Sequence, residues 1–491
     1  MTRHLKAKTL HGMSWSFAER IGTLGVQFLI SIVLARLLMP AQFGLIAMLA
    51  LFMAVAQSFL DSGFGSALIQ KQDATRVDES SIFYFNIVVG VIAAGLLCLA
   101  APAIAAFYKR PILTPLTRVL SLNLVINSFG LIQTSLMTKR VDFKTQMKIT
   151  MLSAFLAGLA GIVMAYRGFG VWSLVAQSLG ANIGRTALLW VYNSWRPVRA
   201  FSFKSLRAMF GFGSKMLAAG LLDTVYNNAY YLVIGKVFSP TDLGYFLRAR
   251  TVQQLPGDTL SFTVGRVTFP VYAAVQDDKV RLKRGVKQTL TTLTMLNFPL
   301  MIGLALTARA LVSFVYSDKW LPCVPYLQLM CFTGILNPMQ SANLNVLRAQ
   351  GRSDLYFWTG VLKKVLSFVA LGITFRWGII QILYGQIVSA SISYYINSYY
   401  TAKFLKYTIW EQVRDVLPVL GIALAMGVGV YAVGLIPVHS QALRLAMQIV
   451  AGAALYTALC LAFKVPSFRL VLDMVGPRLM RMVGVNGRTH P

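Results

Sequence analysis

The sequence predicts an all-α, polytopic membrane protein with about fourteen transmembrane helices. Of its 491 residues, 56% are hydrophobic and only 13% are charged, whereas a soluble domain carries about 25% charged residues. The apolar residues form runs along the whole chain. Many runs reach the ~20 residues that cross a hydrocarbon core of ~30 Å as a helix, and a strand-built barrel would instead show alternating segments of ~10 residues.

The apolar runs and the breaks between them place the helices along the chain. We predict spans at 13–38, 43–66, 81–107, 114–138, 146–166, 170–194, 208–238, 244–274, 287–316, 323–347, 355–375, 379–403, 414–436 and 443–463. The loops between these spans are too short to hold a soluble catalytic domain.

Basic residues concentrate in alternate loops. The loops on the side of the two termini carry clusters such as Lys279 to Lys287, whereas the opposite loops carry isolated cations such as Arg167. By the positive-inside rule, we expect both termini to lie in the cytoplasm. These loops also account for the formal net charge of +30, so we do not expect nucleic acid as a partner.

The second half of the chain repeats the first. Pro40 aligns with Pro240 and Gly44 with Gly244, at an offset of 200 residues. An even number of spans in each repeat preserves its orientation, so the pseudo-two-fold axis is expected along the membrane normal. We predict an N-terminal lobe at 1–200 (spans 1–6), a C-terminal lobe at 201–407 (spans 7–12), and two additional spans with a basic cytoplasmic tail at 408–491.

Polar residues form a stripe on the first span of each predicted lobe. Spacings of three and four residues put the members of a stripe on one helical face. Span 1 carries Arg20, Thr23 and Gln27, and span 7 carries Lys215, Asp223 and Asn227. The repeat pairs Thr23 with Asp223 and Gln27 with Asn227. We interpret the stripes as the lining of one cavity; the alternative is that they hydrogen-bond neighbouring helices together.

Other polar residues within the spans are further candidates for the cavity lining, because intramembrane charges usually face a cavity or a partner. They are Arg118, Arg250, Gln386 and Asn397. Snorkelling to the membrane interface explains Arg250, and its neighbour Arg248, equally well. The acids Asp61, Asp223 and Asp258 are candidates for pairing with cavity cations, or for binding a coupling proton or sodium ion.

The sequence lacks the motifs of catalysis and metal binding. Its four cysteines form no CxxC pair, its four histidines form no HExxH motif, and no Walker motif is present. We therefore expect no catalytic residues, no metal site and no cofactor, and hence a protein that is not an enzyme.

Three stretches resemble one family of membrane transporters: "VLARLLMPAQFGLIAM", "FLDSGFGSALIQK" and "FGFGSKMLAAGLLDTVYNNAYYLVIGKVFSPTDLGYFLRA". Together with the number of spans, they are similar to the polysaccharide exporter branch of the multidrug/oligosaccharidyl-lipid/polysaccharide flippase superfamily, and in particular to colanic acid exporter-type lipopolysaccharide biosynthesis proteins. The resemblance implies a bacterial inner-membrane flippase. Its substrate would be an undecaprenyl-diphosphate-linked oligosaccharide repeat unit, moved to the periplasmic leaflet by alternating access.

The resemblance also implies partners and a kind of site. The implied partners are the lipid-linked oligosaccharide, membrane lipids, and a periplasmic polymerase with a chain-length regulator. Cationic cavities are a trait of the family, and Arg20 and Lys215 are the candidate cations in this chain. The family has no short motif from which binding residues carry over.

Two other functions stay open at this point. A cation-coupled drug exporter of the same superfamily usually has twelve spans and an acidic cavity, whereas this chain has more intramembrane cations than acids. A membrane enzyme that acts on lipid-linked sugars usually has a large periplasmic loop, for which the predicted spans leave no room.

Overall fold

The computed structural model describes residue 22 and residues 24–61, 63–71, 73–438 and 440–468; at 208, 209, 212, 215, 258–267, 269 and 270 it describes the backbone alone. The helices are α1 (Leu24–Leu37), α2 (Pro40–Met48), α3 (Ala50–Asp61), α4 (Phe64–Gln70), α5 (Arg76–Tyr108), α6 (Leu113–Lys139), α7 (Phe143–Tyr166), α8 (Val171–Tyr192), α9 (Phe203–Val237), α10 (Pro240–Ala274), α11 (Lys279–Tyr316), α12 (Val324–Ala349), α13 (Ser353–Thr374), α14 (Ile379–Leu405), α15 (Ile409–Gly434) and α16 (Gln441–Ala462). A 3-10 helix at Asp318–Cys323 follows α11.

The prediction of an all-α protein with about fourteen spans is confirmed. Residues 24–37 of span 1 form α1, and spans 3 to 14 coincide in order with α5 to α16. Residues 13–21 and 23 of span 1 lie outside the described residues. A membrane-crossing stretch at 50–70 agrees with predicted span 2, although the helix is interrupted, so that the region comprises α2, α3 and α4. Gly63, before α4, has a φ of 72°, and a Cβ there would lie 2.8 Å from the Gly213 Cα. Glycine permits both the left-handed backbone and this close approach to α9.

Some helices are more polar than a lipid-facing span. Nine helical stretches within the described residues are long and apolar enough to cross a membrane by length and composition. Helices α8 and α12 are not among them, although they have 22 and 26 residues. Since a polar span must face a partner or a polar cavity, α8 and α12 indicate polar contacts inside the protein.

The helices group into two compact units, with the boundary between Leu247 and Arg248 inside α10. In unit 1, α5 packs against α6, α7 packs against α8, and α9 packs against α3, α4 and α5. In unit 2, α11 packs against α12, α15 and α16, and α14 packs against α12 and α13. The predicted division at residues 200 and 407 follows the sequence repeat and stays a prediction.

The aligned stretches at Pro40 and Pro240 pack against each other within unit 1. Each proline begins a helix, at the position where its missing N–H is not needed. A Cβ on Gly44 would lie 1.7 Å from the Pro240 carbonyl oxygen, and a Cβ on Gly244 would lie 2.1 Å from the Pro40 carbonyl oxygen. Gly44 approaches Pro240 in the same way as Gly244 approaches Pro40, and a two-fold axis requires such reciprocal contacts. This reciprocity supports the alignment at an offset of 200 residues.

The segment that connects α8 to α9, which we name the strap (residues 193–202), is fastened to the first turns of α5. The Val198 N–H donates to the Ser80 Oγ at 2.9 Å, and the Ser202 N–H donates to the Ser81 Oγ at 2.8 Å. Backbone donors of an irregular segment need such partners when they leave water. The strap is therefore a fixed part of unit 1 and not a free loop.

A tryptophan also anchors the strap. Trp195 is buried, donates from Nε1 to the Glu79 carboxylate at 2.6 Å, and packs edge-on against Phe83. An aromatic ring with a bonded polar edge is well suited to the border between the apolar core and a wet surface.

The start of α5 is fixed by a capping box. The Thr75 hydroxyl accepts from the Asp78 N–H, and the Asp78 carboxylate accepts from the Thr75 N–H. Lys71 binds the same carboxylate at 2.8 Å. This hydrogen bond to Asp78 raises the pKa of the Lys71 ammonium above its ordinary value.

Arg248 is buried in unit 2. Its guanidinium carbon lies 4.7 Å from the centroid of the Tyr316 ring and 4.9 Å from that of Trp320, and both rings are fully buried. Cation–π contacts of about 1–2 kcal/mol each compensate part of the lost hydration. The interpretation of Arg248 as a snorkelling side chain is therefore wrong.

A buried hydrogen-bond network joins α12, α14 and α15 in unit 2. Gln412 on α15 accepts from Asn343 at 2.9 Å, from Tyr394 at 3.1 Å and from Ser398 at 3.2 Å. Its amide donates to the Asn343 Oδ1 at 3.1 Å. Inside a membrane such side-chain bonds hold helices together, and this network fixes how the three helices pair.

Candidate functional site

A polar cavity of about 510 Å³ lies inside unit 1, among α3, α4, α6 and α8. Polar side chains from all four helices line it. They are Gln57, Asp61, Ser66, Asn127, Thr134, Ser135, Thr138, Arg185 and Thr186. A polar space within apolar spans is costly to build, and it points to a site for a polar ligand or for water.

Gln57 forms hydrogen bonds both to Asp61, the acid of this cavity, and to Asn127 on α6. Its Nε2 donates to the Asp61 Oδ1 at 3.0 Å, one turn along α3, and its Oε1 accepts from the Asn127 Nδ2 at 3.2 Å. Asp61, a predicted coupling acid, is thereby placed in the cavity with a defined hydrogen-bond partner.

Arg185 shares the cavity, and we did not predict it from the sequence. It is exposed on α8, and its charge acts on the Asp61 carboxylate. The signal was present in "ANIGRTALLW", where an arginine interrupts the second half of an apolar span. Such a residue faces a cavity or a partner in most membrane proteins.

The acid-bearing parts of α3 and α9 are neighbours in unit 1. The Ser58 and Thr224 hydroxyls lie 2.9 Å apart, and Ser58 precedes Asp61 by three residues. Asp223 and Asn227, which are both exposed, lie one turn apart on α9. The structure thus brings the predicted α9 stripe to the helix that carries Asp61.

The other described candidates lie apart from this cavity. Gln27 on α1 and Arg118 on α6 are exposed, but neither lines it. Arg250 and Gln386 are partly exposed in unit 2. Asn397 is fully buried, and among the described residues its amide has no hydrogen-bond partner. It lies within the helix packing of unit 2 and not on an open surface.

The roles of all the predicted site residues stay predictions, and four of these residues cannot be placed. Arg20 and Thr23 lie outside the described residues, and the side chains of Lys215 and Asp258 lie outside the described side chains. Their assignment to a substrate or a coupling ion stays a prediction.

The cavity combines the groups that bind an anion and a proton or small cation. A guanidinium offers paired N–H donors that match phosphate oxygens. A carboxylate beside it balances that charge when no anion is bound. Within the described ranges, no three His, Cys, Asp or Glu side chains are grouped as a metal site.

The fold and the intramembrane polar cavity define a class, the polytopic helical membrane proteins. The chain is similar in fold to the structure of lipid II flippase MurJ in its inward closed conformation, with a TM-score of 0.75 over 92% of this chain and 98% of that chain at 14% identity. It is also similar to an inward-facing multidrug resistance MATE family transporter of the MOP superfamily, with a TM-score of 0.60 over 79% of this chain and 99% of that chain at 14% identity. These identities establish the fold alone. The first neighbour is named as a flippase and the second as a transporter.

The sequence defines the family. The family described as polysaccharide biosynthesis protein matches residues 33–325, more than half of the chain, and the protein belongs to this family. It is 29% identical to the teichuronic acid biosynthesis protein TuaB of Bacillus subtilis, over 82% of this chain and 84% of that protein. It is 27% identical to the lipopolysaccharide biosynthesis protein WzxC of Escherichia coli (86% and 88% covered), and 26% identical to the succinoglycan biosynthesis transport protein ExoT of Rhizobium meliloti (98% and 98% covered). The predicted family is confirmed.

Proposed function

We propose that the protein is a bacterial inner-membrane flippase for undecaprenyl-diphosphate-linked oligosaccharide repeat units. Arg185 carries this proposal, because it places a cation in a polar cavity among the helices of unit 1. Three relatives are named for the biosynthesis or transport of teichuronic acid, lipopolysaccharide and succinoglycan. These names, together with the description of the family as polysaccharide biosynthesis protein, support a saccharide substrate.

Each part of such a substrate makes a different demand on the protein. The diphosphate is anionic, and its entry into a low-dielectric region requires a cation. Arg185 can bind two phosphate oxygens through its paired donors. The sugar hydroxyls require donors and acceptors, which Asn127 and Thr134 offer in the same cavity. The polyprenyl tail can stay in the hydrocarbon throughout.

We assign Asp61 to coupling. Without substrate, the Asp61 carboxylate balances part of the Arg185 charge. When the diphosphate binds the guanidinium, the carboxylate gains affinity for a proton or a sodium ion. Substrate and ion then change each other's affinity, which is the condition for coupled transport. Alternating access between the predicted lobes completes the cycle, with both termini in the cytoplasm and a periplasmic polymerase and chain-length regulator receiving the product.

A deletion strain without a second copy of the gene tests the proposal. We expect polymer export to stop and undecaprenyl-linked repeat units to accumulate on the cytoplasmic side, as measured by mass spectrometry. Normal polymer with no accumulation contradicts the flippase. If polymer is normal and the strain instead becomes sensitive to cationic drugs, the drug exporter is the correct assignment.

Variants test the site separately. Arg185→Ala should lower export by roughly 10–100-fold at equal protein level, since charge-assisted hydrogen bonds contribute about 1.5–3 kcal/mol. Arg185→Lys keeps the charge without the paired donors and should be intermediate. Arg167→Ala is the matched control, because Arg167 is exposed at the end of α7 and outside the cavity. Equal export by Arg185→Ala and Arg167→Ala refutes the site.

A further inference from the structure

Unit 2 contains a second cavity, of about 620 Å³, between α11, α15 and α16. Its deeper walls are apolar and include Ile422, Ala425 and Leu459. The volume falls within the ~300–1,000 Å³ that is usual for sites of small molecules. Because these helices cross the membrane, the apolar walls lie where hydrocarbon is the natural occupant.

The other end of this cavity is polar. Lys287 lies near the start of α11, Asp415 near the start of α15, and Ser467 just beyond the end of α16. The polar lining is therefore gathered at one membrane surface, and the cavity is divided along the membrane normal into an apolar part and a charged rim.

The rim offers a cation to an anionic ligand. The Lys287 Nζ binds the Asp415 carboxylate at 2.6 Å, and the Tyr407 hydroxyl donates to the same carboxylate at 2.8 Å. The Lys287 side chain is 48% exposed whereas that of Asp415 is 12% exposed. An ammonium has three donors, so Lys287 keeps donors for a second acceptor while the carboxylate is already bonded twice.

The surroundings of the rim are positive on balance. Among the described residues, the cations within four positions of a lining residue are Lys283, Arg284, Arg414 and Lys464, in addition to Lys287, whereas the acids are Glu411 and Asp415. Lys283 is paired with Glu411 at 2.8 Å. Basic pockets between transmembrane helices bind anionic headgroups.

We propose that this cavity binds an anionic phospholipid, with an acyl chain between α11, α15 and α16 and its phosphate on Lys287. The apolar depth matches the chain and the cationic rim matches the headgroup. A zwitterionic lipid carries its own cation and gains less from the rim. The proposal rests on unit 2 alone and does not depend on what the protein transports.

Gly421 allows the cavity to be filled selectively. It is a lining residue, and a Cβ there would meet nothing within 4 Å. We therefore expect Gly421→Leu to occupy the cavity, and leucine also has a higher helix propensity than glycine. Gly372→Leu on α13 is the matched control, because Gly372 is equally open but does not line the cavity.

Lys287→Ala removes the cation of the rim. Arg281→Ala is its control, because Arg281 is an exposed cation of the same helix and is also paired with a carboxylate, that of Asp278 at 3.1 Å. Thermal unfolding of each purified variant separates loss of lipid from loss of the fold.

The test is native mass spectrometry of the full-length protein in detergent, after incubation with phosphatidylglycerol or with phosphatidylethanolamine. We expect the wild type and both controls to retain one phosphatidylglycerol per chain, at least tenfold more than phosphatidylethanolamine. Lys287→Ala and Gly421→Leu should each lower this retention at least tenfold. Retention at the wild-type level by both variants, or equal retention of the two lipids by the wild type, overturns the proposal. Tenfold tighter binding by a chain that ends at Phe468 also overturns it, because residues 469–491 would then be the natural occupant.

Discussion

The close approach of two backbones at Gly44 leads to a quantitative prediction for Gly44→Ala. The new Cβ would lie 1.7 Å from the Pro240 carbonyl oxygen, and the least separation that a real Cβ tolerates is 3.0 Å, so the backbones must separate by at least 1.3 Å. For Gly244→Ala, the new Cβ would lie 2.1 Å from the Pro40 carbonyl oxygen, so the backbones must separate by at least 0.9 Å. Overpacking of a tight interior costs about 1–3 kcal/mol. Alanine returns up to ~1 kcal/mol as helix propensity. Because 1.3 Å is a large displacement, we place Gly44→Ala at the upper end of the overpacking cost and expect a net loss of about 2 kcal/mol, with a smaller loss for Gly244→Ala.

The assay is the apparent midpoint of thermal unfolding in detergent, followed by tryptophan fluorescence. Gly95→Ala on α5 is the control, because a Cβ there meets nothing within 4 Å, and we expect it to be neutral or stabilising. The double variant Gly44→Ala/Gly244→Ala should lose less than the sum of the single losses, because the first substitution already separates the backbones that the second would push apart. A midpoint for Gly44→Ala equal to that of Gly95→Ala refutes the close contact, and strict additivity refutes its reciprocity.

Two further predictions concern hydrogen bonds. Gln412→Leu should lower the free energy of unfolding by about 1–3 kcal/mol, measured by denaturant titration, since buried Asn343 loses its partner; an unchanged value contradicts the network. At pH 9–10, Lys71 should be acylated more slowly than exposed Lys204, because the hydrogen bond to Asp78 raises the pKa of the Lys71 ammonium. Peptide mapping measures both rates, and Asp78→Asn should remove the difference between them. Because the Lys71 pKa is raised in the folded protein, the Lys71–Asp78 hydrogen bond stabilises the fold fully below the ordinary lysine pKa of ~10.4. This stabilisation is lost as the pH rises through the raised pKa. Equal labelling of Lys71 and Lys204 contradicts the raised pKa.

The positions of the helices could be predicted from the sequence because each apolar run ends in polar or Gly/Pro residues. The division of span 2 could not, because hydropathy does not register the positive φ of Gly63 or the approach of Gly213. Both effects depend on a helix that follows some 150 residues later, and only the folded chain brings it there.

The surroundings of the intramembrane charges could not be predicted from the sequence. Arg248 and Arg185 both interrupt apolar runs, yet one is enclosed by the rings of Tyr316 and Trp320, and the other is exposed in the polar cavity. Sequence reasoning counts the charge but does not identify its partner. Asp61 was identified because acids are rare in these spans, whereas Arg185 was one of many cations in a basic chain.

The strap limits how this chain can vary in length. Insertions are tolerated where the backbone is exposed and makes no hydrogen bonds. The Val198 and Ser202 N–H groups are matched to the successive hydroxyls of Ser80 and Ser81. One additional residue between them would shift this register and leave a donor without its acceptor. The connection from α8 to α9 should therefore keep its number of residues in natural length variants, and a reporter protein inserted there should lower the stability of unit 1.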